Sequence, residues 1–208
     1  MNNNQFGRSM IEMLGVLAII GILSVGAIAG YQKAMMKYKL NKQAQQITSI
    51  ITGMLNLFKN NKQNFKYDYQ SIILHDILKN MNIIPKEMIK ENDEVYIYDV
   101  FNLPLFIASE SSDGKPFFKM TIGRNKLKIE KDVCRNIWLL SKEMQEILWQ
   151  THFVLGSENS ENYTHRWYGK NTSYTPKLQD LSITKIDELC QICEQHDSCY
   201  IRILWLEY

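Results

Sequence analysis

A single acid, Glu12, stands at the head of an uncharged apolar run, and four cysteines sit in the C-terminal half of the 208-residue chain. A carboxylate held in hydrocarbon costs at least a few kcal/mol unless it reaches water or meets a cation. Glu12 therefore has two uses: it snorkels to a membrane surface, or it waits for a cation supplied by another chain. Arg8, one helical turn earlier, is an intrachain competitor for the same charge. Cys134, Cys190, Cys193 and Cys199 allow two disulfides in any of three connectivities, or one four-sulfur metal site. The Cys190-x-x-Cys193 spacing permits zinc, but one such pair is a weak signal, and disulfides are favoured. His75, His152, His165 and His196 are scattered, and no phosphate-binding glycine loop, G-x-S-x-G or H-E-x-x-H occurs. No catalytic residue, metal ligand or cofactor is assigned, and the chain is expected not to be an enzyme.

Composition narrows the classes further. The chain is 45% hydrophobic and 22% charged, too apolar for a disordered tail and too mixed for a multi-span transporter. Its net charge of +2 argues against bulk nucleic-acid binding, which leaves a strongly basic footprint. The charge is uneven. Residues 1–58 hold Arg8, Lys33, Lys37, Lys39 and Lys42 against Glu12 alone, so a basic stem carries a mildly acidic body.

The elements that must position these groups begin with the run Met13 to Tyr31, 19 residues without a charge. As a helix it spans about 28 Å, close to the ~30 Å hydrocarbon core of a bilayer. A cleaved secretory signal would have a shorter apolar core followed by a small-residue cleavage site. This run instead continues into a helical pattern, so it is expected to be a retained membrane helix. Leu40, Ala44, Ile47, Ile51, Met54 and Phe58 recur at steps of four and three, an apolar stripe for packing on a globular body. No Pro interrupts residues 8–60, which predicts one helix of about 50 residues. Gly26 and Gly30 form a G-x-x-x-G pair, which either permits close helix approach or reflects simple tolerance of glycine in lipid.

The body alternates elements. Ser71 to Met81 predicts a short helix closed by Ile83-Ile-Pro85. Val95–Tyr98, Leu105–Ala108 and Phe117–Ile122 predict strands, with a hairpin turn at Ser111-Ser-Asp-Gly114. Lys131 to Gln150 predicts an amphipathic helix, residues 156–176 a polar and aromatic loop, Ile183 to Cys193 a helix, and Cys199 to Tyr208 a closing strand. The fold class expected is α+β: a long N-terminal helix, membrane half plus amphipathic half, packed on a small antiparallel-sheet head. Tyr163-Thr-His-Arg-Trp-Tyr-Gly-Lys170 mixes rings and cations as a contact for single-stranded DNA or a surface ligand does, but a partly packed loop is the favoured reading.

The stretch Gly7-Arg-Ser-Met-Ile-Glu12-Met-Leu-Gly-Val-Leu-Ala-Ile-Ile-Gly-Ile-Leu resembles the type IV pilin superfamily: a short leader ending in Gly, Glu as the fifth residue after it, then an apolar helix. The body resembles the type IVb branch more loosely. The resemblance implies that a prepilin peptidase cuts between Gly7 and Arg8 and methylates Arg8. It also implies that Glu12 neutralises the N-terminal amine of a neighbouring subunit. Arg8 stands where the family usually has Phe or Met. The positive-inside rule alone would put Lys33 to Lys42 in the cytoplasm, whereas cleavage at Gly7 requires the leader there; the motif is followed.

The resulting expectation is a prepilin with leader 1–7, transmembrane and assembly helix 8–31, amphipathic continuation 32–60 and globular head 61–208. Its expected partners are the peptidase, other pilin subunits and an inner-membrane assembly platform, with DNA or a surface ligand as a lesser one. It would be a single-pass inner-membrane precursor with its head outside the cytoplasm, then part of an extracellular or periplasmic filament. That location makes disulfides the default, with Cys134 closing a loop of more than fifty residues to a late cysteine. The alternatives are a pseudopilin of a type II secretion system, a DNA-binding minor pilin and a plain membrane-anchored binding domain.

Overall fold

The structure, a computed structural model, describes residues 10–60, 72–112, 115–123, 129–155, 162–195 and 199–206. Leader residues 1–7, the bond between Gly7 and Arg8, the turn residues Asp113 and Gly114, and His196 lie outside the described residues. Contacts divide the chain into two units, Met1–Lys39 and Leu40–Tyr208.

The first unit consists of the opening turns of helix α1 (Met10–Asn60). Leu, Ile, Ala and Met propagate a helix well, and without a Pro nothing stops it. From Met10 to Met35 every described side chain is exposed, including Leu14, Leu17, Ile20, Ile22 and Ile28. The one hydroxyl in the apolar run bonds back along the helix, Ser24 Oγ to the Ile20 carbonyl at 2.7 Å, so it needs no outside partner. A helix apolar on every side and buried nowhere in its own chain is made for lipid or for another protein. It is long and apolar enough to cross a membrane.

The second unit begins with the remainder of α1. Ile47, Ile50, Ile51 and Met54 are fully buried, with Leu40 and Ala44 packed at the edge of the same core. The expected stripe is therefore the packed face, with Ile50 added; the side chain of Phe58 is outside the description. The rest of the unit is β1 (Ile72–Ile73), α2 (His75–Asn80), β2 (Ile97–Tyr98), β3 (Pro104–Ser112), β4 (Lys115–Ile122), α3 (Lys131–Glu143), β5 (Leu148–Leu155), β6 (Asn162–Tyr168), α4 (Ile183–Gln195) and β7 (Cys199–Leu206). Short 3-10 turns lie at Lys86–Met88 and Leu178–Asp180. The strands form one seven-stranded sheet in the order β1-β3-β4-β7-β5-β6, with β2 also on β3 and all strand pairs antiparallel. The fold is α+β.

Three sequence expectations change, and the expected closing strand is found as β7. The helix expected over Lys131–Gln150 ends at Glu143, and Leu148 onward is β5. Ile147 and Leu148 fit a helical spacing, but Leu148–Leu155 is rich in aromatic and β-branched residues and finds β7 and β6 on its two sides; pairing overrides the local period. The loop expected over 156–176 contains β6, in which exposed Arg166 stands beside Trp167 packed on the core. The helix expected from Ser71 starts at His75, because Ile72–Ile73 pairs with β3. The closing strand lies inside the sheet between β4 and β7's other neighbour β5, with Ile201, Ile203 and Trp205 buried on one face and Tyr200, Arg202 and Leu204 on the other.

All four cysteines are consumed by disulfides, so the zinc alternative is corrected: Cys134–Cys190 joins α3 to α4, and Cys193–Cys199 joins α4 to β7. The first spans 56 residues, a closure worth about 4 kcal/mol in the chain-entropy model. Arg135 Nη2 reaches Asp187 Oδ2 at 3.2 Å across the same α3–α4 seam.

Candidate functional site

Glu12 lies in the first turn of α1 and is exposed. A carboxylate there is favoured by the helix dipole whatever else it does. With 3.6 residues per turn, Glu12, Gly15, Ala18, Gly26, Ala29 and Gly30 fall within an arc of about 120°, which Ile19 and Ile22 also occupy. Met13, Leu17, Ile20, Ile28 and Tyr31 lie on the opposite side. A Cβ added at Gly15, Gly26 or Gly30 would meet nothing within 4 Å. Each glycine in a helix costs roughly 0.5–1 kcal/mol relative to Ala. No packing inside this chain repays that cost at these positions. Glu12 thus lies in line with Gly26 and Gly30, whose missing side chains let another helix approach closely at that level.

A second constellation, absent from the sequence reading, lies within Leu40–Tyr208 and fixes α1 to the body. Gln43 and Gln46 are buried amid the apolar stripe. Asn136 on α3 donates from Nδ2 to Gln43 Oε1 and to the Leu40 carbonyl, both at 2.9 Å. Gln43 Nε2 donates to Asp99 Oδ2 at 2.6 Å, and Asp99 Oδ1 accepts the Phe101 and Leu103 amides at 2.9 and 2.8 Å. Gln46 Oε1 accepts the Val100 amide at 3.1 Å. At the solvent edge Lys42 Nζ meets Glu87 at 2.8 Å, and that hydrogen bond holds the Glu87 carboxyl below its ordinary range. Burial pushes the Asp99 carboxyl up, against the Gln43 side chain and the Leu103 and Phe101 amides. The polar relay satisfies groups on three segments at once, so it fixes the rotation and axial position of Leu40–Gln46 on the body. A hint was present in the sequence: glutamines at 43 and 46 sit at core-facing spacings, where water cannot satisfy them.

On the sheet face away from the main core, His152 on β5 is buried and its Nδ1 lies 2.7 Å from Gln150 Nε2. Burial, then the charges of Arg202, Arg166 and Lys119, lower its pKa to about 3. Between about pH 6.5, the ordinary value, and 3, the unfolded chain carries a proton that the folded chain refuses. Stability therefore falls as pH drops through that window and levels off below it. From pH 7 to pH 5 the expected loss is about 2 kcal/mol. Urea midpoints of the full chain in detergent at the two pH values, compared with His152→Gln, check this: the variant should lose most of the acid-dependent slope, and an unchanged slope contradicts it.

The structure keeps the sequence-derived candidates apart by role. Glu12, Gly26 and Gly30 belong to the exposed apolar unit, whereas Cys134, Cys190, Cys193 and Cys199 are structural bridges deep in the second. Tyr163–Lys170 is not a loop: its first six residues are in β6, with Trp167 packed on the core and Arg166 exposed. Set against known proteins, the chain matches no protein-family model, no curated protein and no solved structure.

Proposed function

We propose that the chain is a structural subunit of a type IV pilus-like filament, processed by a prepilin peptidase and assembled through its N-terminal helix. One observation carries the reading: the first turns of α1 are apolar on every side, bear one acid in the first turn, and bury nothing within the chain. The same helix continues into a disulfide-bridged α+β body that holds it by a buried polar relay. Such an element needs lipid before assembly and other helices after it. In the low dielectric between packed helices, opposite charges attract far more strongly than in water. A neighbour's amine, freed by cleavage at Gly7–Arg8, is the cation that would complement Glu12 and fix axial register. Gly26 and Gly30, in line with Glu12, let that neighbour come close.

Co-expression with a prepilin peptidase, followed by intact-mass measurement, tests the proposal. The expected product has lost residues 1–7 and begins at Arg8, with or without one methyl group. An unshortened chain alongside an active peptidase would reject the reading in favour of a permanently anchored domain.

A further inference from the structure

A cavity of about 230 Å³ opens on the outer face of the sheet, lined by Tyr96, Phe106, Lys119, Thr121, Gly123, Tyr200 and Arg202. It lies on the sheet face turned away from the main core. Side chains alternate along each strand, so Leu105, Ile107, Met120, Ile122, Ile201 and Ile203 enter the main core. Phe106, Lys119, Thr121, Tyr200 and Arg202 face the other way.

The register explains how the chemistry converges. Phe106 pairs with Thr121, and Thr121 with Arg202, so the three form one row across β3, β4 and β7. Lys119 is in the next row, opposite Leu204, which makes it the diagonal neighbour of Arg202. Diagonal positions are separated by about 7–8 Å, enough for one anionic group to reach both cations. Rings form the walls. Tyr96 and Phe106 are tilted at 52° with centroids 6.1 Å apart, and the Arg202 guanidinium lies 5.3 Å from the Tyr200 centroid. Gly123, at φ 95°, closes one end in a conformation that side chains rarely adopt. Arg202, Arg166 and Lys119 all disfavour a proton on nearby His152.

We infer that this concavity binds a sugar acid, a single pyranose ring carrying a carboxylate. The volume is below the roughly 300–1,000 Å³ of sites for drug-sized ligands, so it suits one ring. Lys119 and Arg202 take the carboxylate, Tyr96 and Phe106 cover a ring face, and Thr121 with the tyrosine hydroxyls offers partners to sugar hydroxyls. The inference goes beyond the filament reading and does not depend on it.

Saturation-transfer NMR on the full chain in lipid nanodiscs tests it with glucuronate, galactose, benzoate and sulfate as probes. A tetrasaccharide ending in glucuronate distinguishes a glycan terminus from a free sugar acid. Glucuronate, free or terminal, should bind at least tenfold more tightly than galactose, benzoate or sulfate. Lys119→Gln, at a half-buried position, should weaken glucuronate binding at least fivefold while near-ultraviolet circular dichroism stays unchanged; Thr121→Val is the second variant and should weaken it without altering charge. Equal affinity for sulfate would reduce the site to a charge patch, and preference for benzoate would replace the sugar by a flat ring. Absence of glucuronate binding, or binding indifferent to both variants, would likewise overturn the assignment.

Discussion

Glu12→Ala should leave cleavage after Gly7 intact and lower incorporation into filaments at least tenfold. In the proposed function, the bond to be cut, Gly7–Arg8, is four residues from the carboxylate, whereas assembly would bring a charged amine into the apolar layer. Removing one partner of a buried ion pair costs about 3–5 kcal/mol, because the remaining charge has no water and no counter-ion. At 1.4 kcal/mol per factor of ten, that exceeds a hundredfold at full burial, and partial hydration of the amine brings the expectation toward tenfold. Glu12→Gln keeps the size and loses the charge, so it should behave like the alanine variant; Glu12→Asp keeps the charge on a shorter arm and should fall between. Quantifying processed protein in sheared fibres against the membrane fraction separates the two steps. Normal incorporation of the alanine variant would remove the carboxylate from the assembly account. A loss of cleavage would place its role earlier, in peptidase recognition.

The second large effect is on folding. Gly169→Ala should destabilise the Leu40–Tyr208 unit by about 3 kcal/mol or more. Gly169 follows β6 and is buried against the turn that leads into β5. Its amide bonds the Trp149 carbonyl at 2.9 Å, and the next amide, Lys170, bonds the Gln145 carbonyl at 3.0 Å. A Cβ here would overlap the Leu148 carbonyl and lie 2.8 Å from the Gln145 oxygen. Both obstacles are backbone, so no rotamer change relieves them. The turn must open, and with it the first pairings of β5 to β6 and β7. A fall in melting temperature of roughly 6–12 °C is expected for a unit of this size. Stability within 0.5 kcal/mol of wild type would show that the turn yields without cost. Gly26→Ala is the contrast: with open space around its Cβ, it should leave the melting temperature of the second unit unchanged.

Much of the local structure was legible because it depends on short-range rules. An uncharged run such as Met13–Tyr31, without Pro, has few alternatives to a helix. The spacing Leu40, Ala44, Ile47, Ile51, Met54 marks a buried face before any partner is known, and Ile183–Cys193 carries the same kind of signal. Edge and pairing effects were not legible in this way. Leu148 satisfies a helical stripe as well as a strand, and the choice falls to β7 and β6, which are remote in sequence. Asn162–Tyr168 looks like a polar loop until its Trp167 is seen packed and its Arg166 exposed. Asp99 looks like a turn residue, and only the approach of Gln43 and Asn136 makes it part of a buried relay.

By itself, then, the sequence determined the apolar helix with its one acid, the amphipathic continuation, the α+β class and the presence of oxidisable cysteine pairs, because composition and periodicity act within a few residues. Tertiary structure alone decided that Cys134 joins Cys190 and Cys193 joins Cys199, that the last strand is central in the sheet, and that Lys119, Arg202 and three rings line one cavity. Those outcomes depend on which distant segments share a strand register, and register is a property of the closed sheet rather than of any one segment.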